Sequence, residues 1–455
     1  MRILLDQGVY DLRNAGNVAL LQTAYDRIRR RWPEATLDVM TSAPHLLRLY
    51  CPGARPVSPD GDYNWDRRRG LVDSIVSHLP LSALRILLEL REEIRRRWPS
   101  FGRVLTRAGL AGAASETRLT EQDVASRLAP AKPETAESNG LGNEYDKAVV
   151  TRVDLLVATG AQYMSDACGY NAHRVLNRME AASRRGTITA MVGQGLGPLD
   201  DRRLRAHATQ VMPLVDLILV RDARAGVKLL DSLGVNLERV AFTGDDAIEM
   251  AYRARPRELG KCLGIGLRIS HYTEVSASHV ELLRPVLLDA AARHGSRLFA
   301  LPISRSLHEL DDQALDQLVN GHGRRFFFGR CLQPPIEIVK QVGRCRVVVT
   351  GSFHPAVFAL AQGIPVVGLA LSAMYMEKFL SLLDQFGTGC QVVRLDGGDV
   401  KATLTDAIDN AWQSAEQLRP GLLQAAGNLV ALGHSGYQRL FDRVESCVQG
   451  RRPSC

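Results

Sequence analysis

The sequence lacks the features that mark membrane-spanning, secreted and zinc-binding proteins. None of its apolar runs approaches the ~18 consecutive residues of a membrane-spanning helix. The opening segment MRILLDQG lacks the charged region and extended apolar core of a signal peptide. The eight cysteines form no CxxC pair, and none is spaced with a histidine as in a zinc site. We therefore expect a cytosolic protein with reduced thiols and no metal centre.

Lysine is scarce, so arginine supplies most of the positive charge. Lysine and arginine together number 57 against 49 acidic residues, which gives a net charge of +8. This excess favours acidic partners, and we expect small anionic ligands and no nucleic acid. The 45% hydrophobic and 23% charged fractions are typical of globular proteins. A length of 455 residues favours two large domains.

The pattern of apolar runs predicts two α/β halves. Short, nearly continuous apolar runs such as VDLLVATG and DLILVRD end on glycine or aspartate, as in parallel strands covered on both faces. We predict an α/β fold of two doubly wound Rossmann-like domains that face a cleft. The domains span residues 1–255 and 256–400, and a helical region spans 401–455.

The first half carries an insertion at about residues 64–146. We expect a mobile loop near 129–143, where proline, alanine, glutamate and serine are enriched. Residues 81–98 combine a leucine-rich stripe with Arg91, Arg95, Arg96 and Arg97. Two interpretations stay open for this stretch: a helix in peripheral contact with an anionic membrane, or a helix packed on the first domain.

Candidate site residues follow from the rule that ligands bind at the carboxyl ends of parallel strands. In the first half, the polar residues at such ends include Asn14, Asn17, Gln194 and Arg221. In the second half they include Arg268, Ser304, Arg305, Arg330, Ser352 and His354. The segment GQGLGP departs from the spacing of a dinucleotide-binding loop, and we interpret it as a glycine turn that lets the backbone approach a ligand.

The stretch RVVVTGSFHPAVFALAQGIPVVGL is the most informative one. A strand ends at Thr350, and Pro355 is suited to the first position of a helix that runs to about Gln362. His354 then lies beside a helix N-terminus, where backbone N–H groups and the helix dipole favour a bound anion and a neutral imidazole. The stretch therefore predicts a phosphate site next to a proton-transferring group.

The order of several motifs resembles the polysaccharide pyruvyl transferase family. These motifs are NAGN, GQGLGP, LVRDARAGVKLLDSLGV, TGDDA, GIGLR and FHPAVFALAQGIPVVGL. The resemblance implies a two-domain fold similar to that of the GT-B glycosyltransferases. It also implies transfer of a pyruvyl group from phosphoenolpyruvate, as donor substrate, to a sugar or glycan as a ketal, with no cofactor.

The resemblance also implies roles for particular residues. His354 matches the histidine of an Arg-Leu-His motif and Arg268 matches an arginine after the first strand of the second domain; both are expected to be catalytic. Binding of donor and acceptor is expected of Asn14, Asn17, Gln194, Arg305, Arg330 and Ser352. Ser352 stands where the family has arginine, and Asn17 stands where it has aspartate, so one guanidinium clamp for an anion is missing.

Two other functions remain open on the residues alone. A glycosyltransferase could place the diphosphate of a nucleotide sugar at the helix that follows Ser352. Such enzymes commonly have a carboxylate late in that helix, and residues 359–363 contain none. A non-catalytic glycan-binding protein would bind sugar and turn nothing over.

Overall fold

The computed structural model describes residues 1–59, 79–84, 86–87, 139–270, 272–305, 311–319, 326–328 and 334–450. Two parallel sheets organise them. The first sheet comprises β1 (Arg2–Asp6), β2 (Thr36–Met40), β3 (Arg55–Val57), β4 (Leu155–Ala158), β5 (Ala161–Met164), β6 (Ile188–Leu196), β7 (Leu217–Val220) and β8 (Val240–Phe242). The second comprises β9 (Cys262–Gly266), β10 (Leu298–Ala300), β11 (Phe326–Phe328), β12 (Cys345–Thr350), β13 (Val366–Ala370) and β14 (Cys390–Arg394).

Both sheets have a point at which the strand order reverses. The first runs β3-β2-β1-β4-β6-β7-β8, with β5 paired to β6, and the second runs β11-β10-β9-β12-β13-β14. The reversals fall between β1 and β4 and between β9 and β12. In doubly wound sheets ligands bind at such positions, outside the carboxyl ends of the strands. The fold therefore places a candidate site on the loops after these four strands.

Thirteen helices within the described residues surround the sheets. They are α1 (Ala15–Arg31), α2 (Pro44–Tyr50), α3 (Asn139–Val149), α4 (Gly169–Arg184), α5 (Arg202–Val211), α6 (Gly226–Ser232), α7 (Ala247–Arg253), α8 (Ala277–Arg293), α9 (Asp311–Val319), α10 (Pro335–Val342), α11 (Phe353–Ala361), α12 (Ala373–Phe386) and α13 (Val400–Gly450). Helices α1 and α7 of the first half pack on α10 and α11 of the second through one shared apolar core. The two halves thus meet along a buried interface.

The long helix α13 joins both halves. Leu404 and Ile408 enter the core of the second half, whereas Tyr437 and Leu440 enter that of the first. A buried ionic cluster fixes the far end, because the hydroxyl of Tyr437 donates to a carboxylate oxygen of Asp246 at 2.9 Å. The same carboxylate accepts a hydrogen bond from Arg27 at 2.8 Å. No described helix is long and apolar enough to cross a membrane.

The boundaries differ from the predicted ones at two places. Helix α11 begins at Phe353 after an N-cap at Ser352, so Pro355 occupies the third helical position and not the first. Helix α3 begins at Asn139, inside the predicted loop at 129–143, while residues 129–138 lie outside the described part of the chain. Of the predicted helix at 81–98, the structure describes only residues 81–84, 86 and 87, and Leu84 is buried there. The arginines of the predicted stripe lie outside the described residues.

Candidate active site

A cleft lies between the two halves, at the strand ends where the order of each sheet reverses. It encloses about 690 Å³ of space, part of which is open to solvent. Its first-half wall includes Asn14, Asn17 and Arg221, and its second-half wall includes Arg268 and His354. Five residues singled out at separate strand ends therefore lie in one cleft.

The N-terminus of α11 faces this cleft. Ser352, Phe353 and His354 form its first turn and line the cleft. The hydroxyl of Thr350 accepts from the backbone N–H of Ser352 and donates to its carbonyl, both at 2.9 Å, which fixes the turn. The Ser352 hydroxyl is fully buried and has no hydrogen-bond partner among the described residues. This first turn is suited to binding an anion, because it combines backbone N–H groups with an unused hydroxyl.

His354 is held in a narrow space between the two halves. A Cβ atom at Gly16 would overlap the imidazole near Nδ1, so only glycine at this position of α1 admits the ring. The Nε2 atom is buried, has no hydrogen-bond partner in the part of the chain that the structure describes, and lies 3.9 Å from a carboxylate oxygen of Asp245. Burial, together with the positive charges of Arg221, Arg268 and Lys378, holds the pKa of His354 well below its usual value of 6.5. The imidazole is therefore neutral at pH 7.

Arg268 enters the cleft from the loop after β9. Asp311 binds its guanidinium through two hydrogen bonds, of 2.6 Å from Nε and 3.2 Å from Nη2. The remaining nitrogen, Nη1, donates to the hydroxyl of Tyr272 at 3.0 Å. Asp311 also accepts from the backbone N–H groups of Ile303 and Ser304, each at 2.9 Å. These contacts hold a cation in one orientation at the cleft wall.

Arg221 comes from the loop after β7. Its Nη2 donates to the side chain of Gln162 at 2.8 Å, and its Nη1 lies 3.4 Å from Asp245. The guanidinium carbon lies 4.4 Å from the ring centroid of Phe353, so the two halves touch through a cation–π contact. Burial raises the pKa of Asp245 to about 6, against the opposing charge of Arg221. Arg221 and Asp245 thereby form a buried charged pair beside His354.

Asn14 and Asn17 lie at the start of α1 on the cleft wall. The Asn14 side chain caps the helix, because it accepts from the backbone N–H groups of Gly16 and Asn17 at 3.0 and 3.3 Å. The neighbouring backbone pairs with the second half, since Ala15 donates its N–H to the carbonyl of Ile303 at 2.8 Å. Asn14 therefore positions the loop, and Asn17 is half-buried at the cleft wall.

Two other predicted binding residues, Gln194 and Arg305, do not line the cleft. Gln194 lies inside β6 and not in a glycine turn; it is fully buried, and its amide donates at 2.8 Å to the carbonyl of Thr159 and at 2.9 Å to the hydroxyl of Tyr163. Gln194 therefore stabilises residues behind the cleft wall and does not itself line the cleft. Arg305 pairs through its backbone with Arg13 and is not among the residues that line the cleft. Arg330 lies outside the described residues.

Several cleft residues escaped the sequence analysis. Lys378 and Tyr375 lie on α12, a helix that the sequence analysis did not predict. The Lys378 ammonium lies 4.4 Å from the centroid of the Tyr375 ring, which stacks at 6.2 Å on that of Tyr272. The N-cap at Ser372 and the glycine after Phe386 were usable signals for this helix.

The charges of the cleft suit a small anion with more than one charged group. Three cations, Arg221, Arg268 and Lys378, act on His354 together. Among the described residues, no group of three or more histidine, cysteine, aspartate or glutamate side chains could hold a metal ion. The three cations and the neutral imidazole suit the cleft to anion binding and proton transfer.

Comparison with known proteins places this chain in a family. The sequence model of the polysaccharide pyruvyl transferase family matches residues 14–372. The chain belongs to this family of transferases. The match includes Asn14, Arg268 and His354. A search of curated protein sequences found no match.

Solved structures of other enzymes share the fold at low sequence identity. A complex of S. aureus MnaA with UDP has a TM-score of 0.56 and 12% identity, covering 100% of this chain and 99% of that one. The Neisseria meningitidis UDP-GlcNAc 2-epimerase bound to UDP-GlcNAc has a TM-score of 0.52 and 10% identity, with 98% and 100% covered. The Methanocaldococcus jannaschii UDP-GlcNAc 2-epimerase has a TM-score of 0.52 and 10% identity, with 95% and 98% covered. The predicted GT-B-like fold of two Rossmann-like domains is thus confirmed.

Proposed function

We propose that the protein transfers a pyruvyl group from phosphoenolpyruvate to two hydroxyls of a sugar or glycan. The observation that carries the proposal is the position of His354, which lies on the first turn of α11 in a cleft with three cations. Phosphoenolpyruvate presents a phosphate and a carboxylate on one small carbon frame. A proton-transferring group between two anion-binding positions is what its chemistry requires.

The two anionic groups of this donor have separate partners in the cleft. The phosphate would bind at the first turn of α11, where backbone N–H groups and the Ser352 hydroxyl are available. The carboxylate would bind the cations Arg268 and Arg221 on either side. Asp311 and Asp245 already neutralise part of the positive charge of these two arginines. The cleft can therefore bind a dianion although the free protein carries little uncompensated positive charge there.

His354 would carry one proton through the reaction. The neutral imidazole takes the proton of the first acceptor hydroxyl and delivers it to the methylene carbon of the donor, which becomes a methyl group. The hydroxyl oxygens form two bonds to the adjacent carbon, and the bond from that carbon to the phosphate oxygen breaks. The proton of the second hydroxyl leaves with phosphate, so the products are a pyruvate ketal and inorganic phosphate.

The acceptor would approach from the first-half wall. Asn17, Gln162 and Ser165 line that side of the cleft and offer amide and hydroxyl groups. Such groups are suited to orienting sugar hydroxyls through hydrogen bonds. The family to which the chain belongs favours this function over a nucleotide-sugar transferase. Residues 359–363, where a ribose-binding carboxylate would lie, contain no carboxylate and are all buried.

The proposal is tested by following the two parts of the donor separately. Phosphoenolpyruvate labelled with one isotope in its carbon chain and another in its phosphate is incubated with the protein and a glycan pool. We expect the carbon label in the glycan as an acid-labile ketal and the phosphorus label as inorganic phosphate. Release of phosphate without carbon transfer, or transfer of sugar from a nucleotide instead, would contradict the proposal.

We expect Ser352→Arg to tighten phosphoenolpyruvate binding by roughly tenfold, because a charge-assisted hydrogen bond to the donor contributes about 1.5–3 kcal/mol. The variant restores the arginine found in the family at a buried position of the cleft wall. The measurement is a calorimetric titration. Ser352→Gln, which adds similar bulk without charge, serves as the matched control and should weaken binding. Equal affinities in all three proteins would show that residue 352 does not contact the donor.

A further inference from the structure

Asp245 and His354 approach each other across the boundary between the two halves. Asp245 follows β8 of the first sheet and His354 belongs to α11 after β12 of the second. One carboxylate oxygen of Asp245 accepts from the backbone N–H of Ala247 at 2.9 Å. The other lies 3.4 Å from Arg221 and 3.9 Å from Nε2 of His354. The carboxylate is therefore anchored on one side and directed at the imidazole on the other.

The two ring nitrogens of His354 have different surroundings. Nε2 is buried, has no hydrogen-bond partner within the described ranges and faces Asp245. Nδ1 lies on the opposite side, against Gly16 at the start of α1. Since a carboxylate accepts hydrogen bonds and does not donate when ionised, it favours the tautomer with the proton on Nε2. That tautomer leaves Nδ1 as the basic nitrogen.

We propose that Asp245 is a positioning residue that accepts the Nε2–H of His354, fixes its tautomer and stabilises the imidazolium formed during transfer. The part of this inference that concerns the rate of pyruvyl transfer rests on the proposed function. A shift of about 1 Å between the halves brings the pair from 3.9 Å to hydrogen-bond length.

The charged neighbours of this pair explain why it would respond to a bound anion. Arg221, Arg268 and Lys378 act on His354, and Arg221 and Asp246 act on Asp245. The cations oppose a positive imidazole in the free protein. A bound dianion offsets the positive charge of these cations. His354 therefore becomes an imidazolium hydrogen-bonded to Asp245 only when the donor is present.

The first test is the tautomer of His354, which does not depend on any transfer reaction. Nitrogen chemical shifts of labelled histidine, assigned by the signal missing in His354→Gln, are recorded for the free protein and with inorganic phosphate. We expect Nε2–H to dominate in the wild type and its ratio to Nδ1–H to fall roughly tenfold in Asp245→Asn. A dominant Nδ1–H tautomer in the wild type overturns the inference, even if Asp245→Asn does not fold.

The second test is the pH dependence of kcat/KM, which reports groups in the free protein. Because burial raises the pKa of Asp245 to about 6, wild-type kcat/KM should rise as pH increases through about 6, where the carboxylate ionises. In Asp245→Asn we expect kcat/KM to fall roughly 100-fold and this rise to disappear. An unchanged profile in Asp245→Asn would overturn the inference.

Asp246→Asn is the matched control. Asp246 is the next residue and is equally buried, but it binds Arg27 and Tyr437 away from His354. We expect this variant to lose thermal stability and to keep the tautomer of the wild type. The rise of the pH profile should remain but move to lower pH, because the charge of Asp246 raises the pKa of Asp245. An equal loss of both readouts in the two variants would mean that Asp245 acts only through the fold. If the tautomer test succeeds and no pyruvyl transfer is found, the positioning role stands and the proposed function fails.

Discussion

The His354→Gln variant is expected to lose about a thousandfold in kcat, within the range of about 10²–10⁴ that a general acid–base group contributes. Glutamine retains a polar side chain of comparable length but cannot carry a proton from hydroxyl to carbon. The affinity for phosphoenolpyruvate should change only a few-fold, since Arg221, Arg268 and the first turn of α11 remain. Steady-state rates and a binding titration measure the two quantities.

Glutamine replaces the simpler alanine in this test because of how His354 is packed. The sequence places His354 beside a helix N-terminus, and the structure shows that only 8% of the residue is exposed there. Its ring contacts those of Phe353 and Phe358, with centroids 5.5 and 6.1 Å away. Alanine would leave a cavity and lower stability as well as activity. A wild-type rate in His354→Gln would remove the residue from the mechanism.

The Gly16→Ala variant is expected to be almost as inactive, although the new methyl group carries no chemistry. The Cβ atom would overlap the imidazole of His354, so either the ring or the start of α1 must move. We expect kcat to fall at least roughly 100-fold, because proton transfer needs the ring in place. Crowding of this kind also costs about 1–3 kcal/mol of stability, seen as a lower melting temperature.

Gly169→Ala provides the matched control for this prediction. Gly169 also begins a helix beside the cleft, next to Cys168, and a Cβ atom there would meet nothing within 4 Å. Its φ of −49° is ordinary helical geometry, so alanine fits without strain. Activity and melting temperature should match the wild type or rise slightly. Equal activity in both variants would show that Gly16 does not hold the ring.

The sequence allowed the architecture and part of the site to be predicted, because both depend on local signals. Continuous apolar runs ending in glycine or aspartate marked the parallel strands, and the strand-end rule placed Asn14, Arg268 and His354 in one cleft. The same rule failed for Gln194, since the strand continues to Leu196 and buries the side chain. When a buried strand continues through glycine residues, the pattern of apolar residues does not show where the strand ends.

The remaining features depend on contacts between distant parts of the chain. The approach of Asp245 to His354 and the fit of the imidazole against Gly16 arise only when the two halves pack together. Lys378 lines the cleft because α12 begins there. The sequence around Lys378 does not show that it lies near the other cations. The course of α13 likewise depends on distant contacts, because Leu404 packs in the core of the second half and Tyr437 in that of the first.

The most direct test of the central claim, that the cleft binds phosphoenolpyruvate, is thermal unfolding with this compound, UDP-GlcNAc and UDP at equal concentrations. A ligand that binds only the folded protein stabilises it, by about 2.7 kcal/mol at a hundred times its Kd. We predict that phosphoenolpyruvate raises the melting temperature and that the increase is smaller at high salt, because the cleft binds it through charge. A rise with either nucleotide and none with phosphoenolpyruvate would contradict the account.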